Sequence, residues 1–129
     1  MLREKILAQN SLKFIIIVDE IKLSSFLGVK RSVPVEIIPF AYRPALDYLK
    51  SLSASVKLSM TEKDEPFQTD QGNYIIDCKF ENISQPTQLA ELLKQKAGIV
   101  EHGLFLGLAT DVIVAGQKGF QHFVTSNNN

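Results

Sequence analysis

Apolar and polar positions recur with two different periods along this chain, and the changes of period mark its elements. Residues 2–10 carry helical spacing, with Leu2, Ile6 and Leu7 on one side and Arg3, Lys5 and Gln9 opposite. Asn10-Ser11 closes that helix. Phe14, Ile15, Ile16, Ile17 and Val18 form an unbroken aromatic and β-branched run, the pattern of a strand covered on both faces in a parallel sheet. Asp19, Glu20 and Lys22 then follow its carboxyl end, the edge at which ligands bind in open α/β sheets. Residues 23–27 read as a short helical turn stopped by Gly28.

From Val33 the pattern changes. Residues 33–39 are extended and bracketed by Pro34 and Pro39. Residues 43–52 are helical, with Pro44 in the first turn and Ala45, Leu46, Tyr48, Leu49 and Leu52 as the apolar face. Residues 55–60 alternate Val56, Leu58 and Met60 with polar neighbours, a half-buried strand. Residues 66–69 and 73–80 flank Asp70-Gln71-Gly72 as the arms of a hairpin. Residues 86–96 form an amphipathic helix ended by Gly98, residues 99–106 a further strand, and residues 112–115 one more. The tail, residues 126–129, is polar and expected to fray.

The order between Val33 and Leu106 is thus β-α-β-β-α-β, a split βαβ, ferredoxin-like α+β unit with a four-stranded antiparallel sheet and two helices on one face. The flanking segments supply only parts of a second sheet. The fold class read here is α/β: the remnant of a doubly wound domain (residues 1–32 and 109–129) with the ferredoxin-like domain (residues 33–108) inserted into it.

Composition narrows the function classes. The chain has 129 residues, 45% hydrophobic and 22% charged, which is globular. Fourteen basic and fourteen acidic residues leave no net charge, so no global field draws in nucleic acid or an anionic membrane. The apolar runs fall short of the roughly 20 residues that span a bilayer. A lone cysteine, Cys78, and the lack of a leader-like segment fit the cytoplasm. Cys78 alternates with Asp77 and Lys79 in a strand and reads as a buried small hydrophobe. His102 and His122 have no Cys or carboxylate pair at metal-ligand spacing. Gly116-Gln117-Lys118-Gly119 lacks the following helix that a phosphate loop requires, and Asp19 and Glu20 read as solvated loop acids.

Four segments together carry a family resemblance. Leu2-Arg3-Glu4-Lys5-Ile6 followed by Phe14-Ile15-Ile16-Ile17-Val18-Asp19-Glu20, Pro34-Val35-Glu36-Ile37-Ile38-Pro39-Phe40-Ala41, Thr69-Asp70-Gln71-Gly72-Asn73-Tyr74-Ile75-Ile76-Asp77, and Gly98-Ile99-Val100-Glu101-His102-Gly103-Leu104-Phe105 resemble ribose-5-phosphate isomerase A. They stand in that family's order and cover nearly the whole chain. The resemblance implies a Rossmann-like catalytic domain with a ferredoxin-like insertion. It also implies an aldose–ketose isomerase of the pentose phosphate pathway, interconverting ribose 5-phosphate and ribulose 5-phosphate through an enediolate. No metal or organic cofactor is expected. Such chemistry needs a carboxylate base at the carbon acid and a cation or donor where the oxygen gains charge. The resemblance assigns the base to Glu4 of the Arg-Glu-Lys motif and a substrate contact to Lys22, on either the phosphate or the enediolate. His102 is then structural or subunit-facing.

The same comparison points to missing parts. The family's glycine-rich substrate loops lie upstream of Arg-Glu-Lys and have no counterpart here. The expectation is a C-terminal portion, inactive by itself, with exposed sheet edges that favour self-association; a homo-oligomer is expected, with a sugar phosphate as ligand and neither nucleic acid nor membrane as partner. The alternative is a non-catalytic ferredoxin-like association or small-molecule-binding domain, or an inert remnant.

Overall fold

The computed structural model describes residues 1–25, 27–28, 30–52 and 55–125. In chain order they form α1 (Leu2–Gln9), β1 (Ile15–Asp19), β2 (Val33–Ile37), α2 (Tyr42–Ser51), β3 (Ser55–Leu58), β4 (Tyr74–Lys79), α3 (Pro86–Gln95), β5 (Ile99–His102), β6 (Asp111–Gly116) and β7 (Gly119–Val124). Short 3₁₀ turns lie at Glu20–Lys22 and Pro39–Ala41. The chain divides into two compact units, one of Met1–Leu2 and Phe26–Leu104, the other of Arg3–Ser25 and Phe105–Asn129.

The first unit is built on a sheet ordered β3-β4-β2-β5, each neighbouring pair antiparallel. Alternation along β2 buries Val33, Val35 and Ile37, and β4 sets Cys78 opposite Val33 and Ile76 opposite Val35. Ala45 and Leu49 of α2 and Leu89 and Leu93 of α3, each pair four residues apart on one helical face, join them in the buried core. Burying each of the larger aliphatic side chains contributes about 1.5–3 kcal/mol. Between α3 and β5, Gly98 takes a φ of +93°, and a methyl group there would overlap the Cβ of Ala41. Glycine is therefore required on two counts.

One expected strand of this unit is reduced to isolated contacts. Residues 66–69 pair only through single bridges, Met60 with Pro66 and Gln68 with Tyr74. Pro66 offers no N–H to a ladder, and the Thr69 hydroxyl takes the backbone N–H groups of Gln71 and Asn73. The sequence there is spent on a tight loop. β5 is also shorter than expected, ending at His102.

In the second unit the sheet order is β1-β6-β7. β1 and β6 are parallel, from Ile15 opposite Asp111 to Asp19 opposite Ala115. β7 returns antiparallel to β6 through a hairpin closed by Gly116 and Gly119, the latter with φ of +116°. The sequence pattern did not announce β7. All six of its residues are exposed, so no inward-facing alternation marks it. Gly116-Gln117-Lys118-Gly119 is its hairpin turn.

Three expectations are corrected here. β1 is an edge strand rather than one covered on both faces: Ile15 and Ile17 are 45% and 71% exposed, while Ile16 and Val18 are half-buried. In α1 the buried residues are Lys5 and Ala8, whereas Ile6 and Leu7 lie exposed. Helix rotation follows the contacts the chain offers, and Lys5 finds one on the Phe105 ring. No helix stands at residues 23–25 and 27, where a helical turn over 23–27 was expected; a 3₁₀ turn lies earlier, at Glu20–Lys22, where Asp19 Oδ1 accepts the Ile21 N–H at 2.9 Å and caps it. Phe26 and the tail at residues 126–129 lie outside the described residues.

Candidate active site

Glu4 and Lys22, the two residues singled out from the sequence, belong to the same compact unit. Glu4 occupies the first turn of α1 and is exposed. The dipole of a helix favours a carboxylate in its first turn. Its neighbour Lys5 is 4% exposed, with its ammonium 5.1 Å from the centroid of the Phe105 ring. Phe105 in turn lies 6.4 Å from Phe14, which leads into β1. Successive helix residues point about 100° apart. Seating Lys5 against Phe105 therefore turns Glu4 outward. The Arg-Glu-Lys run thus divides its work, with Lys5 holding the helix rotation and Glu4 facing solvent.

Lys22 ends the 3₁₀ turn that follows β1, where the parallel pair β1 and β6 stops at Asp19 and Ala115. It is exposed and enters no ion pair among the described residues. Asp19, treated from sequence as a solvated acid, is an N-cap. Its carboxylate fixes the turn that presents Lys22.

At the opposite end of the same sheet lies a polar cluster that the sequence did not signal. The Thr110 hydroxyl donates to Asp111 Oδ2 at 2.7 Å, and His122 Nε2 lies 2.8 Å from Asp111 Oδ1. Phe14 donates its N–H to the Thr110 hydroxyl oxygen at 3.0 Å. Lys13 adds a longer contact to Asp111 of 3.8 Å. The Thr110 hydroxyl first, then His122 and Lys13, hold the Asp111 carboxyl below its ordinary value. A carboxylate lies between the hydroxyl and the imidazole, so no base is aimed at a nucleophile. The cluster ties β1, β6 and β7 together.

The first unit holds two buried acids on its sheet, Glu36 of β2 and Glu101 of β5. Glu36 is 1% exposed and stands opposite Glu101 across the β2–β5 pair. Its Oε1 accepts from the Thr69 hydroxyl and the Asn73 carboxamide, each at 3.0 Å, while Oε2 has no partner. Glu101 takes Lys94 on Oε2 at 3.2 Å and the His102 N–H on Oε1 at 3.0 Å. Glu36 could have been flagged from sequence as a charge set between apolar residues in a strand. Its loop partners come from more than thirty positions away and could not. His102 is 4% exposed, and its Nδ1 accepts the Leu104 N–H at 3.3 Å, a structural placement. Cys78 is fully buried, and burial first, with Asp77 second, pushes its thiol up to about 12. Among the described residues no group of three or more His, Cys, Asp or Glu is placed to hold a metal ion.

Compared with known families, residues 1–119 match the model of ribose 5-phosphate isomerase A, or phosphoriboisomerase A. The chain belongs to that family. Ribose-5-phosphate isomerase A of Chloroflexus aurantiacus is 46% identical over 127 residues, which is 98% of this chain and 53% of that protein. A solved D-ribose-5-phosphate isomerase in complex with phospho-erythronic acid superposes with a TM-score of 0.90 at 37% identity, covering 95% of this chain and 54% of the other. The ribose 5-phosphate isomerase A structure from Methanocaldococcus jannaschii gives 0.89 at 33% identity, over 95% of this chain and 54% of that one. The chain therefore spans about half the length of the phosphoriboisomerase relatives it matches. Its mixed α/β architecture is that of the matching half of solved ribose 5-phosphate isomerases. No helix among the described residues is long and apolar enough to cross a membrane.

Proposed function

We propose that this chain carries one part of a ribose-5-phosphate isomerase, with Glu4 as the enediolate-forming base and Lys22 as a substrate contact. The reaction interconverts ribose 5-phosphate and ribulose 5-phosphate by moving a proton between C1 and C2. Glu4 removes the proton and returns it to the neighbouring carbon, while a cation steadies either the oxygen that gains charge or the phosphate. Lys22 is that cation. The domain reading is a Rossmann-like catalytic remnant at residues 1–32 and 109–129, with a ferredoxin-like domain at residues 33–108. The chain acts in the cytoplasm as a homo-oligomer.

The observation that carries this reading is the family match over residues 1–119, which includes the Arg-Glu-Lys motif and Lys22. Two placements support it. Lys22 stands past the carboxyl end of a parallel strand, the ligand edge of open α/β sheets. Glu4 is turned to solvent by the burial of Lys5. The phospho-erythronic acid in a solved relative supports the sugar-phosphate class. Matching only about half of its relatives, the chain is expected to be inactive by itself.

Co-expression with the other half of a homologous isomerase, followed by a ribose 5-phosphate turnover assay, tests the proposal. Restored turnover that Glu4→Gln abolishes supports it. Turnover by the chain alone refutes the claim of inactivity. Restored turnover indifferent to Glu4→Gln removes Glu4 from the chemistry and favours a non-catalytic association role.

A further inference from the structure

The second unit contains a cleft of about 390 Å³ between the 3₁₀ turn after β1 and the β6–β7 hairpin. Its polar lining is Glu20, Gln117, Lys118 and Gln121, with Phe120 among its apolar walls. Lys22, two residues beyond Glu20, is not part of the lining. The volume falls in the range of small-molecule sites, about 300–1,000 Å³.

Three features make this cleft more than a fold in the surface. First, Glu20 lies directly on Gly116: a methyl group at that position would overlap the Glu20 carboxylate. The bare glycine at the end of β6 lets the carboxylate rest against the backbone at the cleft wall. Second, neither Glu20 nor Lys118 makes a hydrogen bond or ion pair from its side chain among the described residues. An acid and a base share one cleft without neutralising each other. Third, Phe120 is 77% exposed in a strand that otherwise gains little from an aromatic ring there.

We propose that this cleft is a second ligand site, for a small anionic polyol such as a sugar phosphate. An ionised carboxylate only accepts, which suits hydroxyl donors; carboxamides both donate and accept, which suits hydroxyls in either sense. A flat apolar ring suits the C–H face of a sugar. One ammonium matches one anionic group on the ligand. The assignment concerns side chains other than Glu4 and Lys22, so it stands or falls separately from the isomerase reading.

The test is a titration of the isotope-labelled full chain, followed by amide shifts, with ribose 5-phosphate, ribose and inorganic phosphate as separate probes. Ribose 5-phosphate should move the amides of Glu20 and of the hairpin at Gly116–Gly119. Lys118→Ala should weaken its binding about tenfold, the loss expected for one charge-assisted contact. Gly116→Ala should weaken it similarly while leaving the fold intact, since only the flexible end of Glu20 has to move and Gly116 does not need a positive φ. Lys13→Ala, at the opposite end of the sheet, should change it by less than about twofold. Absence of hairpin shifts overturns the proposal. So does binding that follows Lys22 and ignores Lys118, which assigns the ligand to the isomerase site instead. Inorganic phosphate binding as tightly as ribose 5-phosphate also overturns it, by reducing the site to a lysine that attracts anions.

Discussion

Replacing Asn73 by alanine tests the account of the buried acid Glu36. In the folded chain, Glu36 Oε1 rests on two donors, Thr69 and Asn73, each at 3.0 Å, and Oε2 has none. Asn73 is itself 8% exposed, so its removal admits little water to replace the lost donor. A hydrogen bond to a charged group is worth about 1.5–3 kcal/mol, and leaving a buried acceptor short adds to the loss. Asn73→Ala should therefore destabilise the first unit by about 2–3 kcal/mol. Urea unfolding followed by circular dichroism measures it. With slopes of about 1–3 kcal/mol/M the midpoint should fall by roughly 0.7–3 M at unchanged slope. The same substitution in a Glu36→Leu background should cost much less, because no carboxylate remains to be satisfied; the double-mutant cycle should then return a coupling of about 1–3 kcal/mol. A loss below about 0.5 kcal/mol, the scale of ordinary surface changes, would refute the account of Asn73 as a donor that satisfies this acid.

Gly98→Ala should lower unfolding stability by about 2–4 kcal/mol in the same assay, combining a left-handed backbone cost with overlap on Ala41. The depressed Asp111 carboxyl contributes stability that is present above its ordinary value of 3.8 and is lost as pH falls through its lower folded value. Acid titration should accordingly show a stability decline below 3.8 that Asp111→Asn flattens. Cys78, buried and with its thiol raised to about 12, should resist a thiol reagent at neutral pH and react only when urea unfolds the chain. Ile17→Lys should reduce self-association on sizing at high concentration, since Ile17 is 71% exposed on an edge strand; unchanged association would place the contact elsewhere.

Much of this protein was legible in one dimension. In the first unit, elements that bury an apolar face showed their period: Val33, Val35 and Ile37 on β2, Ala45 and Leu49 on α2, Leu89 and Leu93 on α3. The Arg-Glu-Lys motif and Lys22 were readable because short motifs survive as strings. By contrast, β7 carries no burial contrast and so left no pattern to read.

The sequence by itself therefore determined the family, the order of most elements and the two residues nominated for chemistry, because these depend on local composition and spacing. Only the tertiary structure decided which face of α1 is inward, since Lys5 is buried by Phe105, a hundred residues away, against the preference of its own charge. Tertiary structure alone also made β1 an edge strand, joined Glu36 to the Thr69–Asn73 loop, and set Glu20 and Lys118 around one cleft. Each of these arises from groups distant in the chain meeting in space, and the free energy of such meetings is not written in either partner's neighbourhood.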